Sequence, residues 1–279
     1  MFKSFGDLFI GFLASAAIGG LVAVTVAASL TNSYKWALLA LVVWFILCGL
    51  FFGRVARRRL LKLNNLLNEC KIEEYVEAYD KVEGRVHGQE GHRMAKMNKA
   101  KGLIALGAVD EALEDLEEVD IDEKHRLREM NLTAILNIIK FNAYIEKGDM
   151  DRALKALSVC KYMIGDNLYR EPFKSNLIEL CNRADARIDL ANGEFDGLEE
   201  RYWEILRNSY TTLDKVTHHY RLAEIAEHFG NEDDRKEHLE YVVKNGGTTI
   251  YRYLAQLALK GDKIPDKAIY NAPVDDSKN

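Results

Sequence analysis

Apolar residues run almost unbroken from Leu8 to Phe52, then give way to a spaced pattern that persists to Leu259. In the first region Leu8 to Leu30 is 23 residues without a charge, and Trp36 to Gly53 is 18. A rise of ~1.5 Å per residue carries the longer run across a hydrocarbon core of roughly 30 Å, and the shorter one reaches the lower limit for a span. Thr31-Asn32-Ser33-Tyr34-Lys35 is a short polar link that sets Tyr34 and Trp36 at headgroup depth. The pattern predicts a transmembrane helical hairpin over residues 1–53, with spans at about 8–30 and 36–53. A cleaved signal peptide fits less well: the apolar run is too long for its core, and only Lys3 precedes it as a basic residue. Gly11, Ser15, Gly19, Ala23 and Ala27 recur every four positions, a small-residue stripe for close packing by the second run or by another copy.

The spaced region is periodic. Aligned at a turn residue, the segments begin at Cys70, Gly107, Gly148, Gly193 and Gly230, at intervals of 37, 41, 45 and 37 residues. An acidic helix start follows each turn, and a large apolar or aromatic residue lies nine places on: Tyr79, Leu116, Leu157, Tyr202 and Leu239. Glycine ends a helix by accepting left-handed φ, and Asp110, Asp151 and Asp196 suit the positive start of the next one. Ala112 and Ala153 are small enough for two helices to close together. Such a hairpin cannot bury its apolar face alone, so neighbours must stack. Gly84, Gly88 and Gly91 predict a break after the first unit, Glu171-Pro172 a helix start, and Ile250 to Leu259 a terminal helix.

The units at Gly107 and Gly148 resemble tetratricopeptide repeats. Ala100, Leu103, Gly107, Ala112 and Leu116 occupy the small, large, Gly, Ala and large positions of that pattern. Tyr144, Gly148, Ala153 and Leu157 do so in the next unit, with Phe141 in place of the small residue. The units at Gly193 and Gly230 carry Leu198 and Arg235 where the family has Ala, and no unit keeps the terminal Pro. The resemblance covers about residues 64–245 and implies a right-handed α-solenoid that binds proteins or peptides in its groove. The expected fold is therefore all-α: two transmembrane helices, then a tetratricopeptide-like repeat solenoid. Residues 54–63 would be a basic juxtamembrane helix continuing into the first unit, 64–262 the solenoid and 263–279 a tail.

Charge sharpens the placement. Arg54, Arg57, Arg58, Arg59 and Lys62 follow the second apolar run at once. The positive-inside rule puts them, both termini and the solenoid in the cytoplasm, at a bacterial inner membrane, and the same residues can hold anionic lipid. From residue 63 onward 31 basic and 42 acidic side chains remain, the wrong balance for a nucleic-acid binder. Cys48, Cys70, Cys160 and Cys181 form no C-x-x-C pair and are expected to be reduced and buried.

No catalytic, cofactor or metal motif has correct spacing. His218, His219, His228 and His238 lack the partners of a metal set and are expected to be solvated or groove-lining. The resemblance implies a groove lined by the first helix of each unit. Six places before each turn this selects Lys101, Asn142, Arg187 and Glu224; ten places before adds Arg183 and Tyr220. The expected function is a membrane-anchored, non-enzymatic adaptor that holds a protein or peptide, with an acidic segment favoured by Lys101, Asn142 and Arg187. The alternative is an oligomeric membrane-assembly subunit organised through the hairpin.

Overall fold

The computed structural model describes residues 16, 18–22, 24–26, 29, 34–84, 86, 88–121, 126–165, 171–261 and 263–264. Among them every regular element is a helix: α1 (Tyr34–Asn68), α2 (Ile72–Glu83), α3 (Gln89–Leu106), α4 (Val109–Glu117), α5 (Arg126–Lys147), α6 (Met150–Gly165), α7 (Phe173–Asn192), α8 (Leu198–Arg207), α9 (Thr212–Phe229), α10 (Glu232–Asn245) and α11 (Ile250–Leu259). The chain divides into two compact units, Met1–Asn65 with Asp80–His92, and Leu66–Tyr79 with Arg93–Asn279.

The second unit is a stack of helix pairs with a common turn. Cys70, Gly107, Gly148, Gly193 and Gly230 all have left-handed φ, at 60°, 86°, 77°, 77° and 71°. Each donates its N–H to the carbonyl three residues back, and the next residue donates to the carbonyl five before itself, as in Gly107 to Ile104 and Ala108 to Leu103. These are Schellman bonds, which satisfy the last carbonyls of a helix. Cys70 adopts the same turn without being glycine, at a steric cost of roughly 1–2 kcal/mol. The register read from the turns carries into the core: Tyr79, Leu116, Leu157, Tyr202 and Leu239 are all buried, as are Ala112 and Ala153.

Each helix from α4 onward packs on the next, and α5 on α7 and α9 on α11 as well. Apolar clusters lie where successive pairs meet. One joins α3, α4 and α5; the next α5, α6 and α7; a third α7, α8 and α9. The last joins α9, α10 and α11 and takes in Cys70, from the far end of the same unit.

The turn after α10 holds that far end. Thr248 Oγ1 accepts from the N–H groups of Ile72 (2.8 Å) and Glu73 (3.2 Å), so it caps α2 from 176 residues away. Its own N–H and hydroxyl both donate to the Cys70 carbonyl, at 2.9 and 3.3 Å. Gly247 makes the approach possible, since a Cβ there would stand 2.1 Å from the Cys70 carbonyl oxygen. Gly102 serves a similar purpose between α3 and α2, where a Cβ would meet Val76 and Tyr75 at 2.7 and 2.8 Å.

The expected membrane hairpin requires correction. Among the described residues no helix is long and apolar enough to cross a membrane. The run from Trp36 to Gly53 has only 18 uncharged residues against the ~20 that a span needs, and α1 continues without a break into Arg54, Arg57, Arg58, Arg59 and Lys62. The two-span topology, the cell-membrane location with cytoplasmic termini, and the topology role of that basic cluster are withdrawn with it. Most of Leu8–Leu30 lies outside the described residues, including Gly11, Ser15, Ala23 and Ala27 of the stripe. Gly19 is described. Trp44 of α1 lies over its Cα, with Nε1 donating to the Ala16 carbonyl at 3.0 Å, so at this position the stripe packs within the chain. Along α1, Leu38, Val42, Phe45, Leu50 and Phe51 are exposed.

Candidate functional site

Four helices, each the first of its pair or the terminal one, converge on a single buried carboxylate. Glu146, at the end of α5, is 6 % exposed. Its Oε1 accepts from Arg221 Nη2 of α9 at 2.6 Å, Tyr251 OH of α11 at 3.1 Å and Arg187 Nη2 of α7 at 3.3 Å. Arg221, 4 % exposed, turns its other nitrogen to both oxygens of Glu224, at 2.9 Å each. Its guanidinium also lies 5.2 Å from the ring centres of Tyr220 and Tyr251. Two acids and two arginines thus offset each other, which is what allows charges to stay buried. Burial and the Glu146 charge hold the Tyr251 hydroxyl protonated by raising its pKa.

Beside this network is a cavity of about 830 Å³. Its walls carry Glu146, Arg187, Tyr220, Arg221 and Glu224, together with Glu227, Glu232, Arg235 and His228. Leu190, Leu254 and Ile264 supply apolar surface, and Ala191 and Asn192 stand on its α7 side. Arg235 pairs with Glu227 (3.2 Å) and Glu232 (3.4 Å), and its Nη2 donates to the Ala258 carbonyl near the end of α11.

Of the six residues selected from the turn register, Arg187, Tyr220 and Glu224 line this cavity. Lys101, Asn142 and Arg183 are not among its lining residues. Lys101 is half-buried on α3, where burial lowers its pKa and its Nζ donates to Asn98 Oδ1 at 3.3 Å. Asn142 is exposed, and Arg183 pairs with Glu179 one turn away on α7. Counting from the turns missed Glu146 and Arg221, which stand two and nine places before their glycines. The one available signal was charge: a Glu and an Arg at positions that the helical period assigns to an inner face.

Two of the histidines differ from expectation. His218 and His238 are buried, because aromatic residues of α8 lie against them: His218 sits against Tyr202, and His238 against Trp203. His219 and His238 share a hydrogen bond between Nδ1 atoms 3.1 Å apart, and His219 stacks on Tyr241. Burial, aided by Arg183 and Arg221, pushes His218 down to about 3; burial and the neighbouring His238 and Lys215 push His219 to about 4. His228 is exposed at the cavity, stacked on Phe195. Among the described residues no group of three or more His, Cys, Asp or Glu is placed to hold a metal. All four cysteines are free, with Cys70, Cys160 and Cys181 buried.

The chain matches no protein-family model, and neither a curated protein nor a solved structure shows significant similarity to it.

Proposed function

We propose that the second unit is a tetratricopeptide-like repeat scaffold, without catalytic activity, that holds a segment of another protein in the cavity bounded by α5, α7, α9 and α11. The observation that carries the reading is the cavity's construction. One helix from each successive pair contributes a wall, which is how stacked repeats make a concave binding surface. The volume admits a few side chains of a peptide, and the Glu146–Arg187–Arg221–Tyr251 bonds hold the walls at fixed separation. The contacts of the lining carboxylates also favour binding over chemistry. Glu146 and Glu224 serve Arg221, and Glu227 and Glu232 serve Arg235, so each acts as a counter-ion. The repeat assignment is supported by five turns with the same φ sign and the same pair of backbone bonds.

Panning a random peptide library on the full-length chain tests the reading. Ala191 is exposed on the cavity side of α7, so Ala191→Trp fills the cavity without entering the core. Selected peptides are expected to lose binding to this variant and to keep it with Ser158→Trp, which alters an exposed position outside the cavity lining. Peptides indifferent to Ala191→Trp would move the binding surface elsewhere.

A further inference from the structure

A short piece of this chain beyond α11 forms part of the cavity wall. Helix α11 ends at Leu259, and Gly261, at φ +103°, takes a backbone conformation that other residues rarely adopt. Two residues further on, Lys263 and Ile264 line the cavity without belonging to any helix. Ile264 is 4 % exposed and belongs to the apolar cluster of Val216, Tyr220 and Leu254. Its N–H donates to both oxygens of Glu227, at 3.3 Å each, and Glu227 is in turn held by Arg235.

Without Lys263, the charged side chains of the lining are three arginines (Arg187, Arg221, Arg235) and four glutamates (Glu146, Glu224, Glu227, Glu232). The walls therefore carry one negative charge in excess, and Lys263 offsets it. The segment thus answers the cavity in three ways: a positive charge, an aliphatic side chain for the apolar floor, and a backbone N–H for Glu227. All three belong to two adjacent residues in non-helical backbone, a combination that a segment of another protein reproduces readily.

We propose that Lys263–Ile264 is a tethered occupant of the cavity, and that the partner segment is of the same chemistry: a basic residue followed by an aliphatic one, in non-helical backbone, displacing the chain's own. The proposal rests on the protein-binding reading of the same cavity. It makes these two residues a competitive gate, since a free partner must match a ligand already present at high effective concentration.

The test uses a fluorescein-labelled peptide of residues 260–267, Lys-Gly-Asp-Lys-Ile-Pro-Asp-Lys, with binding followed by anisotropy. Full-length Ile264→Asp, which expels its own segment, is expected to bind the peptide at least ten-fold more tightly than the parent chain. A peptide with the same Ile→Asp change should bind neither, and Glu227→Gln added to Ile264→Asp should weaken the remaining affinity. Circular dichroism establishes that each chain is folded. A chain ending at Lys260 serves as a second open form if Ile264→Asp unfolds. Equal binding to parent and open forms, or none to a folded open form, overturns the proposal. So does unfolding of both open forms, which would make the segment an integral part of the core. Failure here leaves the protein-binding reading standing if library peptides still depend on Ala191. Success with no selected library peptide would confine the cavity to this chain's own tail.

Discussion

Replacing Gly247 by alanine tests the closure of the second unit directly. The position has φ +54°, so a side chain adds roughly 1–2 kcal/mol of backbone strain wherever the residue sits. The second effect is contact. The new Cβ would lie 2.1 Å from the Cys70 carbonyl oxygen and 2.9 Å from its carbonyl carbon and Cβ. Cys70 is fully buried and itself held at positive φ, so it has little room to yield. The turn must withdraw instead, and the Thr248 bonds to Ile72, Glu73 and Cys70 go with it. Loss of a helix cap costs about 1 kcal/mol. Cap and strain together give a destabilisation of about 2–3 kcal/mol, which for a unit of this size lowers Tm by about 4–12 °C. Gly230→Ala is the control, because it has φ +71° and open space around its Cβ, and so carries the strain alone. Thermal unfolding followed by circular dichroism at 222 nm compares the two. Hydrogen exchange of residues 70–79 should speed up only in Gly247→Ala. If Gly247→Ala proves no worse than Gly230→Ala, the contact with Cys70 does not hold the unit together.

Three further outcomes are expected. Glu146→Gln leaves the buried Arg221 without its closest counter-ion and should cost about 3–5 kcal/mol, measured as a fall in the urea midpoint. Ala112→Phe overpacks a fully buried position by about 1–3 kcal/mol, and an unchanged melting curve would contradict the repeat register. His218 and His219 have folded pKa values of about 3 and 4, below their usual 6.5, so the unfolded chain binds protons first as pH falls. Their contribution to stability is complete above pH 6.5 and is lost as pH drops toward 4 and then 3; His218→Phe should flatten that part of the pH–stability curve.

Much of the stacking was legible in the sequence because it is local. A turn glycine, the following helix start and a large residue nine places on lie within one hairpin, and helix geometry alone relates them. Even Cys70 could be placed at its turn by spacing, without the glycine that usually marks it. The closure and the charge network were not legible, because their partners are remote. Glu146 and Arg221 are 75 residues apart, and Thr248 and Ile72 are 176 apart. No period links such pairs; only the accumulated rotation of the stack brings them together. The membrane hairpin was over-read for the opposite reason. Apolar composition is conspicuous, yet the second run is at the lower length limit and flows into a cluster of arginines on the same helix.

The bond from Thr248 to the start of α2 changes how the unit must come apart. An open array of repeats has two terminal members with one neighbour each, and it loses order from those ends inward. Here the connection between α10 and α11 caps α2, so the two ends of the array are bonded to each other. Fraying from either end must first break these bonds, which favours cooperative unfolding of the unit. Folding carries the matching penalty: the last turn must be made before α2 is capped, and a contact spanning 176 residues carries a large loop-closure cost.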